Sequence, residues 1–153
     1  MNGQVETYYT AHDHQWFDPV VTKEHTVTIN NGNGRLYFST ESDPDKITTE
    51  TLLAPKLLDG SMEYDIDLSK VECGCDTAVY LVGGPAIDSD GSKAASDGFG
   101  YCDANKVGGY WCPEYDIMEA NKYAFRSTVH LCNDPNSKGF ISECDRSGVD
   151  TLD

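Results

Sequence analysis

Lysine and arginine are scarce in this chain: 11 of them stand against 26 aspartates and glutamates in 153 residues, a formal charge of −15. So acidic a surface repels phosphate backbones and anionic lipid, which argues against nucleic acid and against a membrane as partners. No apolar run approaches the roughly 18 residues that a membrane span needs. Asn-x-Ser/Thr sequons, internal repeats, linkers and long 3.6-residue apolar periods are also missing, so neither N-glycosylation nor an extended helix is expected. The opening MNGQVETYYT has no basic and no apolar leader region, and no signal peptide is expected in the chain as given. With 39% hydrophobic residues and 14 glycines the composition still suits a folded protein, and the length suits one domain over residues 1–153.

Six cysteines are present: Cys73, Cys75, Cys102, Cys112, Cys132 and Cys144. Their spacing is too irregular for paired zinc-binding CxxC units, and the even number fits a disulfide framework in a secreted protein. Six reduced cytosolic thiols are the competing reading.

The chain reads as strands and turns. Val27 and Ile29, then Leu36 and Phe38, flank the run Asn31-Gly32-Asn33-Gly34, a hairpin signal. In MEYDIDL (62–68) Met62, Tyr64, Ile66 and Leu68 alternate with acids, which predicts a half-buried strand. TAVYLVGG (77–84) carries no charge and predicts a strand covered on both faces, and a Gly/Ser/Asp loop follows over 85–100. EYDIMEA (114–120) is the last clear strand; beyond it a Cys-bounded loop closes near Cys144. The fold class is an all-β antiparallel sandwich.

The chemistry sits in Cys112-Pro113-Glu114-Tyr115-Asp116-Ile117-Met118-Glu119-Ala120-Asn121. Strands disfavour acids and neighbouring carboxylates repel, so three within six residues need a compensating reason. Strict alternation places Glu119 opposite Glu114 and Asp116. A β-bulge near Ile117 or Met118 brings it to their face, and two carboxyl groups about 5 to 5.5 Å apart are the apparatus of a retaining glycosidase. The plain alternative is an acidic, solvated edge strand. Trp111 and Trp16 could stack on sugar rings or serve as structural residues. Asp88, Asp90 and Asp97 hint at a calcium loop but lack its full pattern, so they are read as a turn; no metal and no cofactor are expected.

The string resembles the E-x-D-x-x-E signature of jelly-roll β-glucanases, and its surroundings resemble glycoside hydrolase family seven, the cellobiohydrolases and endoglucanases. From about residue 27 to 145 the matching segments keep the family's order: NGNGRLYF, LLDGSMEYDIDLSKVECG, TAVYLV, IDSDG, GFGYCDA, EYDIMEAN and His130-Leu131-Cys132. The resemblance implies a jelly-roll sandwich, secretion and a β-1,4-glucan substrate. It implies Glu114 as nucleophile, Asp116 as its supporting acid, Glu119 as general acid/base and His130 as a histidine near the acid/base. Tyr80, Tyr101, Asp103 and Trp111 are the candidate sugar contacts. It pairs Cys102 with Cys112 and Cys132 with Cys144, and leaves over Cys73, whose family partner lies in a missing half, and Cys75. Ionised Glu114 beside protonated Glu119 would give activity that peaks at mildly acidic pH. A β-1,3-glucanase is a related reading, disfavoured by the placement of His130 and Cys132. The rival of a different class is a shortened, non-catalytic extracellular protein that binds glycan or self-assembles through open sheet edges or Cys73 and Cys75.

Overall fold

In the computed structural model the described residues are 9–12, 20–23, 26–29, 35–94 and 97–150, with side chains described for 26–29, 35–94 and 99–149. Eight strands account for most of the regular structure: β1 (Tyr9–His12), β2 (Val20–Lys23), β3 (Thr26–Ile29), β4 (Leu36–Ser39), β5 (Thr77–Val82), β6 (Glu114–Ala120), β7 (Phe125–His130) and β8 (Val149–Asp150). Every pairing between these strands is antiparallel. The only helical pieces among the described residues are 3-10 turns and the four-residue α1 (Asp97–Gly100), as expected where no long segment holds an apolar helical period. None is long and apolar enough to cross a membrane.

The described residues fall into two compact units, 1–63 and 64–153. In the first, β4 pairs with β1 and β3 with β2, so the expected hairpin joining residues 25–30 to 35–39 does not form, although both strands do. Its Asn31–Gly34 turn, like Trp16, lies outside the described residues. Ser39 is fully buried and donates to the Thr51 carbonyl at 3.0 Å, so the end of β4 is closed by the 3-10 turn Thr49–Thr51.

The second unit is a four-stranded sheet in the order β5-β6-β7-β8. Its small apolar core gathers Ala86, Cys102 and Cys112 with Ala94 and Tyr110, and Met118 is buried on β6. Cys102 is bonded to Cys112 and Cys132 to Cys144, while Cys73 and Cys75 are free and exposed.

Three expectations are corrected here. MEYDIDL forms no strand and is mostly exposed, with Met62, Tyr64 and Ile66 each above 40%. Its alternation is genuine, but among the described residues no strand takes up its backbone groups. No residue of β5 is fully buried, so the strand is not covered on both faces, and among the described residues it stands at the edge of its sheet. β6 is not the last strand, since β7 and β8 follow; β7 hides from a periodicity reading because its site-facing positions are polar.

Candidate active site

Period-two alternation breaks within β6. Along β5, Val79 pairs with Met118 and Tyr80 with Asp116, so Ile117 has no partner and forms a bulge. Along β7 the register shifts in the same place, with Asp116 opposite Thr128 and Glu119 opposite Arg126. One extra residue returns Glu119 to the face of Glu114 and Asp116 and turns Met118 and Ala120 to the opposite face, where both are buried. Thr128, directly across from Asp116, donates its hydroxyl to Glu119 Oε2 at 3.3 Å, which places these side chains on one face.

The carboxylates differ in their surroundings. Glu114 is buried and its Oε2 accepts the Ala104 N–H at 3.0 Å. Burial pushes its pKa up to about 7; the Ala104 bond pulls the other way, and the charges of Asp116 and Asp103 add to the rise. Asp116 is also buried, which raises its pKa against the pull of His130. Asp76, at the mouth of β5, is raised by desolvation and by the charge of Glu119.

His130 is held at both ring nitrogens: Nδ1 lies 2.7 Å from the Asp145 carbonyl oxygen and Nε2 lies 3.0 Å from Asp116 Oδ2. A carbonyl only accepts, so Nδ1 carries a proton. The Nε2 contact then needs a second proton, which the imidazole and the carboxyl share. Burial works against the imidazolium and is outweighed by the Asp145 bond and the charges of Asp116 and Glu114, so the His130 pKa rises. Ligand atoms of Glu114, Asp116 and His130 all lie within 4.8 Å of one another, close enough to face one cation.

The structure thus brings Glu114, Asp116, Glu119 and His130 to one face, but His130 bonds to the middle carboxylate and not to the acid/base candidate. Tyr80, opposite Asp116, has its hydroxyl 3.4 Å from that of Tyr101. Asp103 is buried, and its Oδ1 accepts the N–H groups of Asn105 and Val107, both at 2.9 Å. That is a turn-holding role, and it leaves this oxygen committed within the protein. Trp111 lies under two cations, with Arg146 Cζ 5.0 Å and Lys106 Nζ 5.6 Å from the ring centroid. Asp90 caps the Ser92 N–H at 2.9 Å and Asp88 accepts the Tyr110 hydroxyl at 3.0 Å, as in a turn.

Residues that sequence reasoning missed are Asp76, Thr128, the Ala104 N–H and the Asp145 carbonyl. Only Asp76 and Thr128 left a signal, as polar residues at the mouth of one strand and in the middle of another.

A bulged antiparallel sheet with buried carboxylates on one face and small disulfide-closed loops defines a class of all-β protein. Comparison with known sequences narrows it. The family model for glycosyl hydrolase family 7 matches residues 19–108, and the chain belongs to that family. Membership assigns its antiparallel sheets to a jelly-roll β-sandwich. Similar curated proteins include an endoglucanase type C of Fusarium oxysporum, 34% identical over 105 residues covering 56% of this chain and 24% of the relative. A probable endo-beta-1,4-glucanase of Aspergillus clavatus is 32% identical over 117 residues, covering 61% and 27%. An endo-beta-1,4-glucanase of Aspergillus oryzae is 33% identical over 112 residues, covering 61% and 25%. The chain spans about a quarter of the length of the curated relatives it matches. No solved structure matches it.

Proposed function

We propose that the chain is the carboxylate-bearing part of a secreted, retaining β-1,4-glucan hydrolase. Glu114 attacks the anomeric carbon, Glu119 protonates the leaving oxygen and then activates the water that releases the glycosyl-enzyme, and Asp116 supports the nucleophile. The observation that carries this reading is the bulge at Ile117, which puts Glu119 on the face of Glu114 and Asp116. The relatives named endo-beta-1,4-glucanases support the choice of glucan. Tyr80 and Tyr101 are proposed sugar contacts.

Release of reducing sugar from a soluble β-1,4-glucan tests the reading. Glu114→Gln and Glu119→Gln are each expected to abolish it while leaving the fold intact, because each removes one reacting oxygen at nearly constant volume. A wild-type chain inactive between about pH 4 and 8 overturns the claim that this chain itself hydrolyses the glucan.

Exposed apolar side chains favour a second reading, a glucanase-like extracellular protein that binds glycan or self-assembles without catalysis. Phe125 is 55% exposed, Val149 56% and Leu131 63%, and the two free thiols are exposed as well. A mass measurement on native, unreduced material separates the two: cross-linked chains of this length favour the structural protein.

A further inference from the structure

We propose that Gly148 is a positioning residue for the carboxylate site: lacking a side chain, it lets residues 145–149 lie against His130 and Thr128, the two β7 side chains that hold Asp116 and Glu119. Only its catalytic readout rests on the hydrolase reading.

Gly148 has φ +65, the left-handed region, and a β-carbon added there would lie 2.2 Å from Thr128 Cγ2, 2.9 Å from His130 Cε1 and 3.0 Å from His130 Nδ1. None of these atoms is the free end of a flexible chain. Thr128 is 1% exposed, β-branched and directed by its hydroxyl to Glu119, so turning the methyl away turns the hydroxyl away too. The His130 ring is fixed at both nitrogens.

Nor can the segment swing clear. At one end Cys144 is bonded to Cys132, and the Asp145 N–H donates to the Leu131 carbonyl at 2.7 Å. At the other, Val149 pairs with Val129 and Asp150 with Thr128. A methyl group at 148 therefore either lifts β8 from β7 or displaces Thr128 and His130 together. Both outcomes loosen the bonds to Glu119 and Asp116, and the carbonyl that sets the His130 tautomer belongs to the same segment. The glycine thus acts on two carboxylates through their two holders.

Imidazole nitrogen resonances of the full chain test this. In the wild type His130 is expected to show a protonated Nδ1 bonded to a carbonyl. Gly148→Ala is expected to shift or broaden the Nδ1–H signal. Gly139→Ala is the control, since Gly139 also has positive φ (+87) but a β-carbon there meets nothing within 4 Å. It carries the left-handed strain without the collision. Thr128→Ser in the Gly148→Ala background removes the Cγ2 methyl and keeps the hydroxyl, and is expected to restore the signal and the denaturation midpoint in part. If Gly148→Ala does not fold, the return of a cooperative unfolding transition in that double variant is the readout. On soluble β-1,4-glucan Gly148→Ala is expected to lower kcat at least about tenfold with little change in KM, as misplacement of reacting groups does. A wild-type chain without activity defeats the hydrolase reading and leaves the imidazole test standing. Imidazole signals in Gly148→Ala that match those of Gly139→Ala, or a double variant no better folded than Gly148→Ala, overturn the proposal.

Discussion

His130 and Asp116 are joined by one proton. The 3.0 Å contact runs between an imidazole Nε2 and a carboxyl oxygen, both buried, on adjacent strands fourteen residues apart in sequence. Because the Asp145 carbonyl claims the proton on Nδ1, the pair cannot meet as free base and carboxylate.

Removing either partner strands the other. His130→Ala leaves a buried carboxyl without its partner, and Asp116→Ala leaves the buried Nε2 of His130 without its own. Each is expected to cost about 1 to 3 kcal/mol of stability in denaturant unfolding. The double variant is expected to cost less than the sum of the two, by about 1 kcal/mol or more. Strict additivity would show that the contact contributes nothing.

Stability should also fall as pH rises across neutrality. Glu114 has an ordinary value of 4.5 and is pushed up to about 7 in the fold, so the folded state binds its proton more tightly than the unfolded chain. The resulting stabilisation is fully present below the unfolded value and is lost as pH rises through about 7, an effect of about 3 kcal/mol. Asp116 and His130 are raised as well and act in the same direction. Unfolding midpoints are expected to drop between about pH 5 and 8, and Glu114→Gln to flatten that slope. A slope unchanged in Glu114→Gln would place the titration elsewhere.

With Glu114 as the proposed nucleophile, the same shift argues for a higher optimum than the mildly acidic one expected from sequence. A nucleophile must be ionised, and burial holds Glu114 protonated at mildly acidic pH. Hydrolysis by this chain is therefore expected to gain its ascending limb near pH 7, measured as kcat/KM against pH. Full activity well below that value would require substrate or further protein to lower the Glu114 pKa.

The carboxylate face was legible in the sequence because charge on a strand is costly: acids at 114, 116 and 119 make sense together only if a residue is inserted, and Ile117 is that residue. Of the residues that hold the site, His130 was legible through its place in the family's string, though not as the partner of Asp116. Thr128 was not singled out, because Arg126, Ser127 and Thr128 erase the apolar alternation that marks β7 as a strand. Ala104 and Asp145 contribute backbone atoms, which no residue type announces. MEYDIDL erred the other way, since alternation reports which side of a segment is apolar and not whether a neighbouring strand exists to pair with it. Trp111 offered a sugar platform on composition alone, whereas Arg146 and Lys106 lie over its ring.

The disulfide between Cys102 and Cys112 should matter more than its short loop alone suggests. Chain entropy for a sequence separation of 10 gives roughly 3 kcal/mol. Both sulfurs also sit in the apolar core against Ala86, and the bond closes the segment that contains Asp103 and Ala104. The Ala104 N–H is the partner of Glu114, and the turn held by Asp103 orients it. Replacing both cysteines by alanine is thus expected to lower the unfolding free energy by at least about 3 kcal/mol and to loosen the Glu114 contact as well. The second effect has its own readout, because without the Ala104 bond the carboxylate loses a stabilising donor and the Glu114 pKa rises above about 7. The carboxyl carbon resonance of Glu114, followed against pH in the folded double variant, checks it. An unchanged titration midpoint would show that the 102–112 loop keeps its shape without the bond, and that the disulfide serves stability alone.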